Sequence, residues 1–258
     1  MTPELASTTR NWFEQGGKQY AQFRPEYPSE LAAFLATVSP GLDMAVDVGC
    51  GSGQLAGQLA GHFDRVFGID PSTDQLANAT KRKNISYICA SAEALPVRGH
   101  QASLVVAAQA AHWFDLPRFY DEVKRIGVPG VTLALVSYGV LNLDKELNAR
   151  FEDFYWREIG SYWPAERKLV DSGYADLVFP FKEQQAPPMA IRKTWTLSQL
   201  LGYIGTWSAV KRLRAAGRTN ILETFAVDLA ALWGNPDNCR DIIWPINMRI
   251  GQVSGKLF

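Results

Sequence analysis

Val46-Asp47-Val48-Gly49-Cys50-Gly51-Ser52-Gly53-Gln54 is the stretch on which the reading of this chain turns. The apolar run Met44 to Val48 follows the turn-like Ser39-Pro40-Gly41-Leu42-Asp43 and reads as a buried strand. Three glycines then alternate, and Gln54-Leu55-Ala56-Gly57-Gln58-Leu59-Ala60 reads as a helix. Strand, glycine loop and helix in that order form a nucleotide-binding device. Glycine lets the backbone turn sharply and lets a ligand approach it closely. The helix start offers N–H groups without helical partners and the positive end of the dipole.

The spacing narrows the ligand. A dinucleotide loop has the form G-x-G-x-x-G, and its third glycine admits the pyrophosphate near the helix start. Here the glycines fall at Gly49, Gly51 and Gly53, and Gln54 stands where the dinucleotide pattern needs glycine. Asp47, two residues before the first glycine, repels a pyrophosphate and suits a cationic ligand. S-adenosylmethionine carries an ammonium and a sulfonium and no phosphate. A second acid, Asp70, ends the apolar run Arg65-Val66-Phe67-Gly68-Ile69, which reads as the second strand. It lies 23 residues after Asp47, the length of one strand–helix–strand unit. A carboxylate at that strand tip accepts ribose hydroxyls, from NAD as readily as from S-adenosylmethionine. Asp70-Pro71-Ser72 is also good turn and N-cap chemistry, and the two roles are compatible.

Length and composition bound the rest. The 258 residues suffice for one large α/β domain. Lys+Arg and Asp+Glu both count 26, so there is no general attraction to nucleic acid or acidic membranes. No run of about 18 apolar residues is present to span a membrane, and Met1 to Arg10 lacks the order of a signal peptide. Three distant cysteines give neither a disulfide framework nor zinc spacing, and no metal is expected. The expectation is a cytoplasmic protein, monomer or homodimer, acting on a small molecule without nucleic acid or membrane.

Along the chain, a helix is expected from Ser29 to Val38, capped by Ser29, and another from Thr73 to Thr80. Further strands are expected at Ile85 to Cys89, Ser103 to Ala108 and Gly130 to Ser137, with a helix from Arg118 to Ile126. Continuous apolar strands alternating with helices imply a parallel sheet covered on both faces, with ligands beyond the strand C-termini. After about residue 140 the alternation breaks. Asp144 to Ile159 looks helical, and Gln185-Ala186-Pro187-Pro188 separates two segments that read as a hairpin. Helices follow at Leu197 to Tyr203, Ala209 to Ala215 and Ile221 to Trp233, then a last strand from Asp241 to Ile250. Seven of the eight tryptophans lie at or after Trp113, mostly as core, with one or two expected to face the cleft.

Four smaller motifs carry site candidates. Ala90-Ser91-Ala92-Glu93-Ala94-Leu95-Pro96 follows the third strand, and Gln109-Ala110-Ala111-His112-Trp113-Phe114-Asp115 follows the fourth. The second is the rim where a donor meets its acceptor. There His112 and Trp113 are candidates for an acceptor pocket, with His112 either a general base or packed beneath the loop. Tyr20 and Arg24 stand four apart before Pro25 and Pro28, either closing over the ligand or packing as a surface arm. Lys211-Arg212-Leu213-Arg214 with Arg218 reads as a solvated face.

The glycine run resembles the first motif of the class I S-adenosylmethionine-dependent methyltransferases. Tyr20…Arg24-Pro25-Glu26-Tyr27-Pro28, Ala92-Glu93-Ala94-Leu95-Pro96, His112-Trp113-Phe114-Asp115 and Thr206-Trp207-Ser208-Ala209 together resemble the methyltransferase type 11 group, including the trans-aconitate and cantharidin-type carboxyl methyltransferases. The resemblance covers nearly the whole chain. It implies a Rossmann-like, seven-stranded, mostly parallel α/β sheet with helices on both faces and a helical, aromatic elaboration in the C-terminal half. As one domain over 1–258, it divides into an arm and helix (1–40), a cofactor-binding core (41–140) and a substrate-side elaboration (141–258). It implies S-adenosylmethionine held by Asp47, Gly49, Gly51, Gly53, Asp70, Ser91, Ala92, Glu93 and Gln109. Many members have Asp at the position of Ser91, so the adenine contact here falls to Ser91 or to a water. Tyr20, Arg24, His112 and Trp113 become substrate candidates, and Tyr20 and His112 the catalytic ones. The expected reaction is methyl transfer to a small molecule, with a carboxylate oxygen as one acceptor. The rival readings are an NAD-dependent oxidoreductase and a non-catalytic S-adenosylmethionine-binding domain.

Overall fold

Five strands of this chain are apolar because helices cover both faces of the sheet they build. In β4 (Ala102–Ala108) Leu104 and Val106 face one core, while Val105 and Ala107 face the other, as the two-residue period of a strand requires. The computed structural model describes residues 25–253. With β1 (Met44–Val48), β2 (Arg65–Asp70), β3 (Ile85–Cys89), β5 (Gly127–Tyr138), β6 (Lys182–Gln184), β7 (Met189–Trp195) and β8 (Arg240–Gln252), the sheet runs β3-β2-β1-β4-β5-β8-β6, with β7 also on β8. The first five strands are parallel, and β8 is antiparallel to β5. The order reverses between β1 and β4, which places a crevice beyond their C-terminal ends.

One face is covered by α1 (Ser29–Thr37), α2 (Gln54–Leu59) and the C-terminal helices α7 (Leu197–Gly205), α8 (Ser208–Ala215) and α9 (Thr219–Trp233). Leu31, Leu35, Leu55 and Leu59 join Phe151, Phe225 and Trp233 in that core. The other face is packed by α4 (Leu116–Ile126), through Phe119, Val123 and Ile126. The short α3 (Thr73–Ala77) links β2 to β3. This is the Rossmann-like α/β architecture expected. Among the described residues, no helix is long and apolar enough to cross a membrane.

Three local expectations are corrected. The strands flanking Pro187-Pro188 do not form a hairpin. β6 and β7 both run antiparallel to β8, so they are two pieces of one interrupted edge strand. Proline has no N–H for the ladder, so pairing stops and resumes past it, which gives eight strand segments where seven are expected. Ser29 does not cap α1. Pro28 holds the cap position at φ −63° and ψ 145°, and the Ser29 hydroxyl bonds Glu30. The helix expected over Thr73 to Thr80 stops at Ala77, and the Thr80 N–H turns back to the Ser52 carbonyl at 3.1 Å.

The helix expected over Asp144 to Ile159 is α5 (Lys145–Glu152) continued by a π-helical turn over Asp153–Glu158. The turn buries Phe154 and Tyr155 and leaves Trp156 exposed. Such turns are rare and occur often at functional sites. Before α1, Tyr27 packs edge-on against Tyr138 with ring centroids 5.9 Å apart. The Gln58 amide donates to the Tyr27 carbonyl at 2.6 Å. Tyr20 and Arg24 lie outside the described residues.

Candidate functional site

The glycine loop closes over the end of β1 by backbone bonds. The N–H groups of Gly49 and Cys50 both donate to the Ile69 carbonyl of β2, at 2.7 and 3.1 Å. Gly49, Gly51 and Gly53 all have φ between 54° and 74°, the left-handed region that side chains resist. A Cβ on Gly49 would meet Ala110 at 2.4 Å, and one on Gly53 would meet Tyr87 at 2.1 Å. Among the described residues, a Cβ on Gly51 would find nothing nearer than 3.8 Å, so the middle of the loop is open on that side.

Asp47 and Asp70 stand on either side of this loop. Asp70 Oδ2 accepts the Gly51 N–H and Oδ1 the Ser72 N–H, both at 2.8 Å. Burial raises its pKa, and those two N–H groups oppose the rise. The turn role read from the sequence is therefore present, and it also fixes the glycine loop. A carboxylate has about four acceptor positions, so two remain for another donor. Asp47 is 1% exposed, and among the described residues neither of its oxygens has a hydrogen-bond partner. Burial pushes its carboxyl from 3.8 up to about 7. The Ala56 N–H, aimed at it without reaching bonding geometry, opposes this, and the charge of Asp70 adds to it. A buried carboxylate without a partner needs a reason, and a cationic ligand group is one. With the open space over Gly51, the donor set fits S-adenosylmethionine.

The other expected residues cluster at the ends of β3 and β4. Ser91 is exposed and Ala92 buried. Glu93 Oε1 accepts the Asp115 N–H at 3.0 Å, tying the loop after β3 to the start of α4. Removing this bond by Glu93→Ala is expected to lower stability by about 0.5–1.5 kcal/mol. Urea unfolding checks this, and an unchanged midpoint would show that the bond contributes nothing. Gln109 sits at φ 55°, held by its N–H on the Val136 carbonyl and its amide on the Tyr138 carbonyl, both at 2.8 Å.

Gln109, His112 and Trp113 line one cavity of about 300 Å³ with Trp163, Arg167 and Trp207. This lies at the low end of the roughly 300–1,000 Å³ of small-molecule sites. His112 Nδ1 lies 3.0 Å from the Tyr174 hydroxyl, and its ring packs 4.8 Å from Trp113. Tyr174 is fully buried, which pushes its hydroxyl pKa up and keeps it neutral. Among the described residues, three tryptophans face the cavity, while Trp233 and Trp244 are core. The basic run of α8 departs from a purely solvated face. Arg214 and Arg218 are exposed, but half-buried Arg212 and exposed Lys211 line the cavity.

A family described as "Methyltransferase domain" matches residues 46–135. A Dictyostelium discoideum protein designated a methyltransferase is 32% identical over 262 residues, covering 99% of each chain. The chain belongs to the class I S-adenosylmethionine-dependent methyltransferases. A solved structure from Anaeromyxobacter dehalogenans, designated a type II methyltransferase, has TM-score 0.85 and 40% identity. It matches 90% of this methyltransferase and 99% of its own chain. A malonyl-[acyl-carrier protein] O-methyltransferase from Marinomonas is 31% identical over 134 residues, covering 48% of this chain and 49% of its own. The NAD reading is thereby set aside, in accord with Asp47 where a pyrophosphate would come close.

The sequence reading missed Arg167, Trp163 and Tyr174 and gave Trp207 no site role. Arg167 and Asp171 stand four apart on α6 (Arg167–Asp171), the spacing of a helical ion pair. That spacing signals a pair and not the cavity it borders.

Proposed function

We propose that this methyltransferase transfers the methyl group to a carboxylate oxygen of a small acidic molecule. The observation that carries this reading is the charge of the cavity. Among the described residues its lining includes Arg167, Lys211 and Arg212 and no acidic side chain, in a chain whose formal net charge is zero. The name of the Marinomonas relative is that of an O-methyltransferase.

When bound, S-adenosylmethionine supplies a methyl group already activated by its sulfonium. Asp47 then takes the cationic end of the amino-acid part, and Asp70 accepts the ribose hydroxyls. Ser91 and the Ala92 N–H meet the adenine while Glu93 steadies their loop. The N–H groups of the glycine loop and the Gln109 side chain hold the remainder. The chain's main task is to align the acceptor oxygen and exclude water, and alignment lowers barriers by roughly 7–11 kcal/mol in favourable cases. A carboxylate is ionised at neutral pH and needs no base. This agrees with His112, whose Nδ1 is engaged by a neutral tyrosine rather than by the carboxylate that orients a typical catalytic histidine. His112 and Trp113 here shape the acceptor pocket.

Incubation with methyl-labelled S-adenosylmethionine and a metabolite extract tests the proposal. The expected products are methyl esters, whose label is released by alkali as methanol. Label confined to alkali-stable amines or ethers would overturn the carboxylate assignment.

A further inference from the structure

Arg167 is held in a way that leaves half of its guanidinium unused. Its Nε–H is shared between the Tyr155 hydroxyl oxygen and Asp171 Oδ1, both at 2.9 Å. The Tyr155 hydroxyl donates in turn to the same Asp171 oxygen at 2.8 Å. The guanidinium carbon lies 4.9 Å from the Trp163 ring centre and 5.8 Å from that of Tyr155. One edge and one face are therefore fixed by the π-helical turn and the segment after it. Tyr155 and Asp171 do not line the cavity, whereas Arg167 does. Among the described residues, neither terminal amino group of Arg167 has a hydrogen bond, and neither is sealed from solvent. Nearby, the Trp163 indole N–H is buried without a partner among the described residues.

Beside this fork stands a continuous aromatic wall. Trp163 and Trp207 lie 5.4 Å apart, Tyr155 lies 5.1 and 5.6 Å from them, and Tyr203 lies 5.5 Å from Trp207. A locked guanidinium has already lost its rotamer freedom, so gripping an anion costs little further entropy. Its two terminal amino groups match the two oxygens of a carboxylate. A ring edge or face on the wall gains contact that an aliphatic chain of similar size does not.

We propose that Arg167 seats the carboxylate of a flat aromatic acid, with the Trp163–Trp207 wall taking its ring. This rests on reading the cavity as the acceptor site and names the acceptor class. Arg167 determines specificity, and Tyr155 and Asp171 position it.

Calorimetry on the full chain saturated with S-adenosylhomocysteine tests the seat without turnover, using cinnamate, its neutral amide and hexanoate as probes. Wild type is expected to prefer cinnamate over the amide by roughly 10–100-fold, the value of charged hydrogen bonds. It is expected to prefer cinnamate over hexanoate by roughly 3–10-fold. Arg167→Lys keeps a charge opposite Asp171 but removes the planar fork, so the acid-to-amide preference should fall below about threefold. Trp163→Leu should erase the preference over hexanoate and keep the preference for acid. Equal binding of acid and amide by wild type, no binding of cinnamate, or unchanged preferences in both variants would overturn the proposal. If Arg167→Lys fails to fold by circular dichroism, the wild-type ratios and Trp163→Leu decide. Should Arg167-dependent cinnamate binding occur while the labelled extract yields no alkali-labile product, the seat stands and the carboxylate-methylation reading falls.

Discussion

Asp47→Asn is expected to stabilise the ligand-free protein at about pH 8 and to weaken S-adenosylmethionine binding by roughly 10–100-fold. Both effects have one cause, a buried carboxylate whose two oxygens lack partners among the described residues. In the unfolded chain this carboxyl ionises near its ordinary value of 3.8; in the fold it holds its proton up to about 7. Between these limits the native state binds more protons than the unfolded state, so this group's contribution to stability falls as pH rises from about 4 to 7. Above about pH 7 the loss is complete and amounts to roughly 4 kcal/mol at most. Asn removes the charge but leaves a buried amide, so the net gain at about pH 8 is a part of that, roughly 1–3 kcal/mol. Near pH 4 the carboxyl of the folded wild type is neutral, and the two proteins should melt within about 1 kcal/mol of each other. Binding has the opposite sign. A cationic ligand group gains from the ionised form, so wild-type affinity should decline below about pH 7. The Asn variant should lose affinity at neutral pH and show no such decline. Thermal melts of the ligand-free proteins and calorimetry across that pH range read both halves. A lower melting temperature for the variant at about pH 8, or unchanged affinity, would refute the role given to Asp47. With the expected results, Asp47 is a residue that costs the fold stability for the sake of its ligand, a trade common at functional sites.

What could be read in advance divides along the same line as locality. β1, the glycine loop and α2 are contiguous, and the apolar run, the alternating glycines and the helical pattern mark them between Met44 and Leu59. Asp70 was legible because one strand–helix–strand unit has a characteristic length, although its bonds to Gly51 and Ser72 were not. The expected parallel sheet followed from strands such as Val105 to Ala108, apolar on both faces. Of the cavity only the segment Gln109 to Trp113 after β4 was legible, because the other walls come from α6, α7, α8 and the end of β5. His112 meets Tyr174 across 62 residues, and Trp163 meets Trp207 across 44. No periodicity encodes such pairs. Arg212 was read as solvated because charge on a helix usually faces water; the half of α8 that turns towards the cavity has no pattern of its own. The hairpin expected around Pro187-Pro188 failed for a related reason. Two prolines break a ladder equally well at a turn and within an interrupted edge, and only the pairing partner, β8, separates these cases.

Gly53→Ala is expected to destabilise the protein by about 2–5 kcal/mol and to abolish tight S-adenosylmethionine binding. Gly53 caps α2 at φ 74° and ψ 27°, a conformation that costs any other residue roughly 1–2 kcal/mol. The larger part is steric. The new Cβ would lie 2.1 Å from the Tyr87 hydroxyl oxygen and 2.8 Å from Cζ. That ring is tethered where it stands. Its hydroxyl donates to the Thr80 carbonyl at 2.8 Å, and the same Cδ1–Cε1 edge also lies over Gly68, where a Cβ would stand 2.6 Å away. The Thr80 N–H in turn holds the Ser52 carbonyl, next to Gly53 itself. The glycine loop, β3 and the turn after α3 thus form one closed circuit, and the added methyl group pushes the loop rather than the ring. A double-mutant cycle separates the two costs. Tyr87→Ala removes the obstacle but leaves the left-handed backbone, so Gly53→Ala should cost about 1–3 kcal/mol less in its presence. Purely additive losses in urea unfolding would show that backbone strain alone makes glycine necessary here. The coupling, if found, would show that Tyr87 sets the height of the cofactor loop from the neighbouring strand.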